Sequence, residues 1–243
     1  IVVPDETDIL KLVADLRRDA LIDRAEPHYV YPLPPRGFIP QPDSVRAATL
    51  KRPDGETTSS PLAILDSGLA PRDELQGLVW AALDSTDPQR PLADSQGHGT
   101  QMALIGGGLI QPTGITGESA AVSLIPIRAF DDQGYASSLT LIRSVDYAVA
   151  NGARVINMSW GSEDSSDFLA EAIAQGLDAQ ILMVAAVGNE PTGQPVYPAA
   201  LPGVIGIAAT GPDGGFWPES NSGEFVDLAA PGQAALPVGY GGP

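Results

Sequence analysis

The run Leu139-Thr140-Leu141-Ile142-Arg143-Ser144-Val145-Asp146-Tyr147-Ala148-Val149-Ala150 decides the fold class, together with Val155-Ile156-Asn157-Met158 just after it. Leu139, Ile142, Val145 and Val149 recur at helical spacing and form one apolar stripe. Val155 to Met158 is short and apolar, the signature of a strand covered on both faces. The same alternation extends outward. Phe168 to Leu177 reads as a second helix, Ile181 to Ala186 and Val204 to Ala208 as strands. Upstream, Val122 to Arg128 is a strand, and Leu62-Ala63-Ile64-Leu65 is another that ends in Asp66-Ser67-Gly68. Buried strands alternating with amphipathic helices specify an α/β fold with a mainly parallel central sheet. Such sheets gather functional groups at the carboxyl ends of their strands. Asp66, Ser159 and Asn189 each follow a strand and so converge on one rim.

The beginning of the chain is a different unit. Thr7 or Asp8 caps a helix whose apolar positions are Ile9, Leu12, Val13, Leu16 and Ala20, and Ile22 to Leu33 reads as a strand-like run. Residues 1–33 are too few to bury a core alone and must dock on something else. Residues 34–60 form a Pro-rich linker, with Pro34, Pro35, Pro40, Pro42 and Pro53 among them. The α/β pattern occupies residues 61–243.

Charge narrows the partners. The 243 residues carry a formal net charge of −17, and Arg154 is the last basic residue. Nucleic acid and anionic membrane both need basic patches, so neither is an expected partner. No apolar run reaches the ~20 residues that span a bilayer. The start of the chain shows no basic-plus-apolar leader pattern. With no cysteine, disulfides, thiolate metal sites and a cysteine nucleophile are excluded.

Three short stretches carry chemistry. In Ala63-Ile64-Leu65-Asp66-Ser67-Gly68 the carboxylate, taken alone, reads as a turn cap. In Gln96-Gly97-His98-Gly99-Thr100-Gln101-Met102-Ala103, His98 is one of two histidines, the other being His28. Flanking glycines leave the imidazole accessible at the start of a helix over Thr100 to Ile105. In Ala185-Ala186-Val187-Gly188-Asn189-Glu190, Asn189 follows an apolar strand. It reads either as an amide donor or as part of a Gly-Asn turn. Gly106-Gly107-Gly108 ends the His98 helix rather than opening one, so it is a helix-end turn and not a phosphate cradle.

Taken in this order the three stretches resemble the subtilisin-like serine proteases, the subtilases. That family has Asp in an apolar-Asp-Ser/Thr-Gly motif, His in His-Gly-Thr, and Asn in Gly-Asn. Asn157-Met158-Ser159-Trp160-Gly161, Tyr197-Pro198-Ala199 and Val226-Asp227-Leu228-Ala229-Ala230-Pro231-Gly232 also match its segments in register. The resemblance implies a three-layer α/β fold and a secreted or extracytoplasmic serine endopeptidase that acts on polypeptide substrates. It implies His98 as general base, Asp66 as the group that orients and charges against it, and Asn189 as oxyanion donor. Gly134-Tyr135-Ala136 and Ser159-Trp160-Gly161 become the edges that bind an extended peptide. Trp160 and Ala186-Val187-Gly188 line the pocket for the residue before the scissile bond. Glu190 is either at the base of that pocket, favouring a basic or polar group, or a solvated rim carboxylate. Ala25-Glu26-Pro27-His28-Tyr29-Val30 resembles the end of a subtilase propeptide, an inhibitor acting in cis whose tail lies in the active-site groove.

The resemblance has one large gap. The family nucleophile stands in Gly-Thr-Ser soon after Ala-Pro-Gly, and the 243 residues contain no Gly-Thr-Ser. Ser220 and Ser222 precede Ala230-Pro231-Gly232 and are no substitutes. The serine and the helix behind it are therefore expected to be missing, leaving a truncated chain, inactive alone, with a partial propeptide. The alternative is a catalytically dead pseudoprotease that binds peptides or a protein partner. No cofactor is expected. Structural calcium, frequent in subtilases, would fall near Leu109 to Gly114, where no carboxylate cluster stands. Asp131, Asp132, Asp164 and Asp167 read as solvated charges.

Overall fold

The computed structural model describes residues 3–34, 58–112, 115 and 120–234. Helix α1 (Ile9–Leu16) starts at Asp8, whose Oδ1 accepts from the Lys11 amide at 3.0 Å. It ends before Ala20, which therefore lies off the helical stripe. The strand-like run beginning at Ile22 is corrected to β1 (Val30–Pro32). Residues 22–29 include Asp23, Glu26 and Pro27, types depleted in strands, and the pairing with β5 covers only Val30 to Pro32.

Strand β2 (Thr58–Asp66) begins inside the span expected to be linker. The short strand β3 (Leu83–Asp84) follows, then α2 (His98–Gly106), β4 (Val122–Arg128), β5 (Tyr135–Ser137) and α3 (Ser138–Ala150). The chain continues with β6 (Val155–Met158), α4 (Asp167–Asp178), β7 (Leu182–Ala186), β8 (Ile205–Thr210) and β9 (Leu228–Pro231). The Pro-rich residues 35–57, Thr113 and Gly114 of the stretch where a subtilase calcium would fall, and residues 235–243 lie outside the described residues.

Seven strands form one sheet in the order β3-β4-β2-β6-β7-β8-β9, parallel at every pairing. Period-two alternation splits the core. Ala63 and Leu65 of β2, with Ile125 and Ile127 of β4, face Leu141, Val145 and Ala148 of α3 and Leu169 and Ile173 of α4. Ile64 and Leu124 face the other way, against Ala103 and Leu104 of α2. The result is helix, sheet, helix in three layers, as the sequence pattern requires. Ser137 and Thr140 cap α3 reciprocally, and Ser166 caps α4 through the Leu169 amide. The triple glycine does end α2: Gly106 is its last residue and Gly108 takes φ +78°.

A second, two-stranded sheet joins the N-terminal unit to the rest. β1 pairs antiparallel with β5, Tyr31 opposite Ala136. No described helix is long and apolar enough to cross a membrane.

Candidate active site

Asp66 is the last residue of β2, and His98 is the first of α2. Two glycines let these ends touch. A Cβ on Gly99 would lie 2.3 Å from the Gly68 carbonyl oxygen, and one on Gly68 2.0 Å from that of Ala93. The His98 Nδ1 atom stands 2.7 Å from Asp66 Oδ1, which also accepts from the Ser67 amide at 2.7 Å. Asp66 is fully buried, and its Oδ2 has no hydrogen-bond partner among the described residues. A buried carboxylate satisfied on one oxygen only favours a donor that can carry positive charge. The acceptor role of Asp66 assigns the proton of neutral His98 to Nδ1 and leaves Nε2 as the free base.

Burial is the largest single influence on His98 and opposes its protonation. The Asp66 charge, the Asp66 hydrogen bond and the charge of Asp94 together outweigh it, and lift the imidazole above its ordinary pKa.

Asp94 escaped the sequence reading. Its Oδ1 accepts from Ser67 Oγ at 2.8 Å and from the Gly97 amide at 2.7 Å; its Oδ2 accepts from the Thr100 amide at 2.8 Å and from Thr100 Oγ1. Ser67 Oγ in turn accepts from the Gly99 amide at 2.8 Å. Asp94 thus caps α2 from outside it and ties the helix start to the loop after Asp66. The signal available beforehand was a carboxylate four residues before His98, which is an ordinary loop feature.

A cavity of about 680 Å³ opens at the carboxyl ends of the strands. His98, Ser159, Trp160, Gly161, Ala186, Val187, Gly188, Asn189 and Glu190 all line it. The structure therefore brings together the expected base, the expected amide donor and one of the two expected peptide edges. Gly134, Tyr135 and Ala136 stand apart from the lining; Tyr135 and Ala136 are already paired with Pro32 and Tyr31 of β1. Pro32, Leu33 and Pro34 line the cavity themselves. Glu190 and Glu163 line it and are both exposed, and Glu163 accepts from Thr192 Oγ1 at 3.2 Å. Trp160 is buried and donates from Nε1 to the Leu65 carbonyl at 2.9 Å, which fixes the pocket wall to the residue before Asp66.

A carboxylate behind an imidazole, and an amide-bearing loop across the same hollow, are the parts of an acyl-transfer site other than its nucleophile. A model of the subtilase family matches residues 60–241. The chain belongs to the subtilase family. Among its relatives it is 31% identical over 172 residues to the minor extracellular protease Epr of Bacillus subtilis (strain 168), covering 70% of this chain and 26% of Epr. It is 30% identical over 179 residues to thermitase of Thermoactinomyces vulgaris, covering 73% of this chain and 64% of thermitase. This subtilase chain thus spans between about a quarter and about two thirds of these curated relatives. The solved structure of a cold-adapted subtilisin-like serine proteinase superposes with a TM-score of 0.63 at 24% identity, over 86% of this chain and 74% of that one. That of the psychrophilic protease Apa1 from Pseudoalteromonas sp. AS-11 gives 0.60 at 23%, over 71% and 41%. At these identities the two structures establish the shared fold.

Proposed function

We propose that this subtilase chain carries the acid–base and oxyanion parts of a serine endopeptidase that hydrolyses polypeptides outside the cytoplasm. The observation that supports it most is the 2.7 Å contact of Asp66 with His98, set beside a cavity shared by His98 and Asn189. The 243 residues contain no Gly-Thr-Ser, so in this reading the attacking serine is not among them and these residues alone are expected to have no turnover. His98 Nε2 takes the serine proton as Oγ adds to the scissile carbonyl carbon. Asp66 holds the Nδ1 proton and balances the imidazolium. Asn189 Nδ2 donates to the carbonyl oxygen as it becomes an oxyanion. Collapse of the tetrahedral adduct breaks the C–N bond, and His98 returns the proton to the leaving amine. Water then repeats the sequence on the acyl-enzyme.

In the full-length protein, Asn189→Ala is expected to lower kcat by about 10²–10³ while KM stays near its wild-type value, since the amide serves the oxyanion rather than the ground-state carbonyl. Hydrolysis of an unstructured peptide, with labelling by a fluorophosphonate, measures this. Tight peptide binding with neither turnover nor labelling would put a pseudoprotease in place of the enzyme.

The N-terminal segment fits the role of an inhibitor in cis. Its backbone extends a short ladder into the cleft, with the Leu33 amide donating to the Gly134 carbonyl at 2.8 Å and the Ser138 amide to that of Tyr29 at 3.0 Å. Glu26 sits on the N-terminus of α4, accepting from Ser166 Oγ at 2.5 Å and from the Asp167 amide at 2.7 Å. A carboxylate at a helix N-terminus gains from both the free amides and the helix dipole. Arg24 pairs with Glu171 at 2.6 Å beside it, but both are exposed, so little stability rests on that pair. Glu26→Ala is expected to weaken docking by about 1 kcal/mol. In an active full-length protein that appears as a several-fold rise in the initial rate on a small peptide before processing. An unchanged rate would place the segment outside the inhibitory contact.

A further inference from the structure

We infer that Asn221 is a positioning residue for Asn189, acting as the buried clamp on the loop that carries it. The inference rests on the proposed role of Asn189, and its structural half can be tested without turnover.

Residues 189–195 follow β7 and are all exposed, so no buried side chain among them anchors the loop to the core. A segment of that kind opens at low cost unless its backbone is held. Asn221, which is fully buried, supplies the hold. Its Oδ1 accepts from the Gly193 amide at 2.9 Å, and its Nδ2 donates to the Gln194 carbonyl at 3.0 Å. The two ends of one side-chain amide thus grip consecutive residues of the loop. The Asn221 backbone amide donates to the Gly188 carbonyl at 3.0 Å, directly before Asn189. The loop is therefore pinned at its start and at its far turn by one residue.

Asn221 is itself fixed. Its Oδ1 also accepts from the Ser222 amide at 2.9 Å. The neighbouring Ser220 Oγ accepts from the Ala209 amide of β8 at 3.0 Å. The clamp so transmits the position of the central sheet to the loop. Only an amide side chain provides an acceptor and a donor at these two places. Aspartate would face the Gln194 carbonyl with a second acceptor and bury a charge, and alanine would leave the Gly193 amide and the Gln194 carbonyl unmet.

The test uses the full-length protein with Asn221→Ala and the equally shaped Asn221→Asp. Amide hydrogen exchange and the side-chain amide resonance of Asn189 are followed by NMR. Asn221→Ala is expected to speed exchange at Gly193 by at least about 10-fold and to shift the Asn189 side-chain resonance. The downfield Nδ1 proton of His98 should stay in place. Asn221→Asp, which keeps the Gly193 acceptor but sets a second acceptor against the Gln194 carbonyl, should also shift Asn189 while retaining more of the Gly193 protection. If one variant does not fold, the other carries the test. Unaltered exchange and an unaltered Asn189 resonance overturn the inference. Where the wild type turns over peptide, Asn221→Ala should reduce kcat by about 10- to 100-fold with little change in KM. That reduction should vanish in an Asn189→Ala background, because the clamp works through Asn189. An equal reduction in both backgrounds marks a purely structural residue and also overturns it. A wild type with no turnover refutes the endopeptidase reading and leaves the exchange result to decide on Asn221.

Discussion

Asp66→Asn in the full-length protein is expected to cost about 10⁴ in kcat, or about 5 kcal/mol of barrier, with the fold retained. The reason is the direction of one proton. Asp66 Oδ1 lies 2.7 Å from His98 Nδ1, so the carboxylate requires the ring to donate there and keeps Nε2 as the base. An asparagine can turn its own NH₂ toward Nδ1, which moves the ring proton to Nε2, the atom that must accept. The substitution also removes two of the three contributions that together outweigh burial at His98. With only Asp94 left in favour of protonation, the imidazole pKa should drop from above the ordinary value of about 6.5 to below it. A nitrogen-15 titration of His98 reads this directly. In the wild type, kcat/KM should rise with pH through the raised His98 pKa, because the base form does the work, and the acid limb should lie above pH ~6.5. Stability runs the other way. A folded pKa above the unfolded one adds stability that is complete below about pH 6.5 and fades as pH climbs through the folded value. The stability gap between wild type and Asp66→Asn should therefore be widest on the acid side. Equal activity in the two proteins at all pH values would remove Asp66 from the mechanism.

The parallel sheet was legible because its central strands are apolar on both faces. Ala63 and Leu65 of β2 pack toward α3 and α4 while Ile64 packs toward α2, so burial on both faces wrote itself into the residue types. The shortest strands left no such trace. Leu83 and Asp84 make a two-residue strand, too brief for any period. Tyr135–Ser137 is a strand only because β1 lies beside it, a fact of tertiary contact. Conversely, the run from Ile22 reads as a strand only through Tyr29, Val30 and Tyr31 at its end, whereas Asp23, Glu26 and Pro27 disfavour one, and the strand pairing starts only at Val30, next to the bond between the Ser138 amide and the Tyr29 carbonyl.

The chemistry-bearing residues were readable for another reason: Asp66, His98 and Asn189 each sit in a local sequence pattern that can be matched. Asp94 and Asn221 do not. Asp94 accepts from the nearby Gly97 and Thr100 amides and from the distant Ser67 hydroxyl, and Asn221 grips the backbone of Gly193 and Gln194 in a loop well before it; backbone partners impose no residue type that could be matched. The pairing of Tyr31 with Ala136 was hidden in the same way, since a ladder is made of main-chain groups.

Trp160→Ala should be the most destabilising of the single substitutions near the cleft, at about 3–5 kcal/mol, lowering the melting temperature by on the order of 10 °C. Trp160 is 2% exposed. Its ring meets Tyr31 edge-on at 5.6 Å between centroids and Phe130 at 6.0 Å. Removing the indole leaves a cavity bounded by the sheet and by two aromatic rings on different chain segments, which cannot both collapse into it. It also strips the Leu65 carbonyl of its Nε1 donor. The consequences differ by place. Phe130 belongs to the sheet layer and is held by its neighbours, whereas Tyr31 belongs to a three-residue strand whose burial depends on Trp160 and the β5 ladder. The N-terminal segment should therefore detach first, seen as protease sensitivity around residues 22–34 well below the main melt. Trp160→Phe separates the two contributions: it keeps a ring against Tyr31 but leaves the Leu65 carbonyl unpaired. It should lower the melt by less than half as much and leave the N-terminal segment protected. A single cooperative melt in Trp160→Ala, with that segment resistant until the sheet unfolds, would mean that β1 is held by its backbone ladder and by Glu26 on α4 rather than by the ring of Trp160.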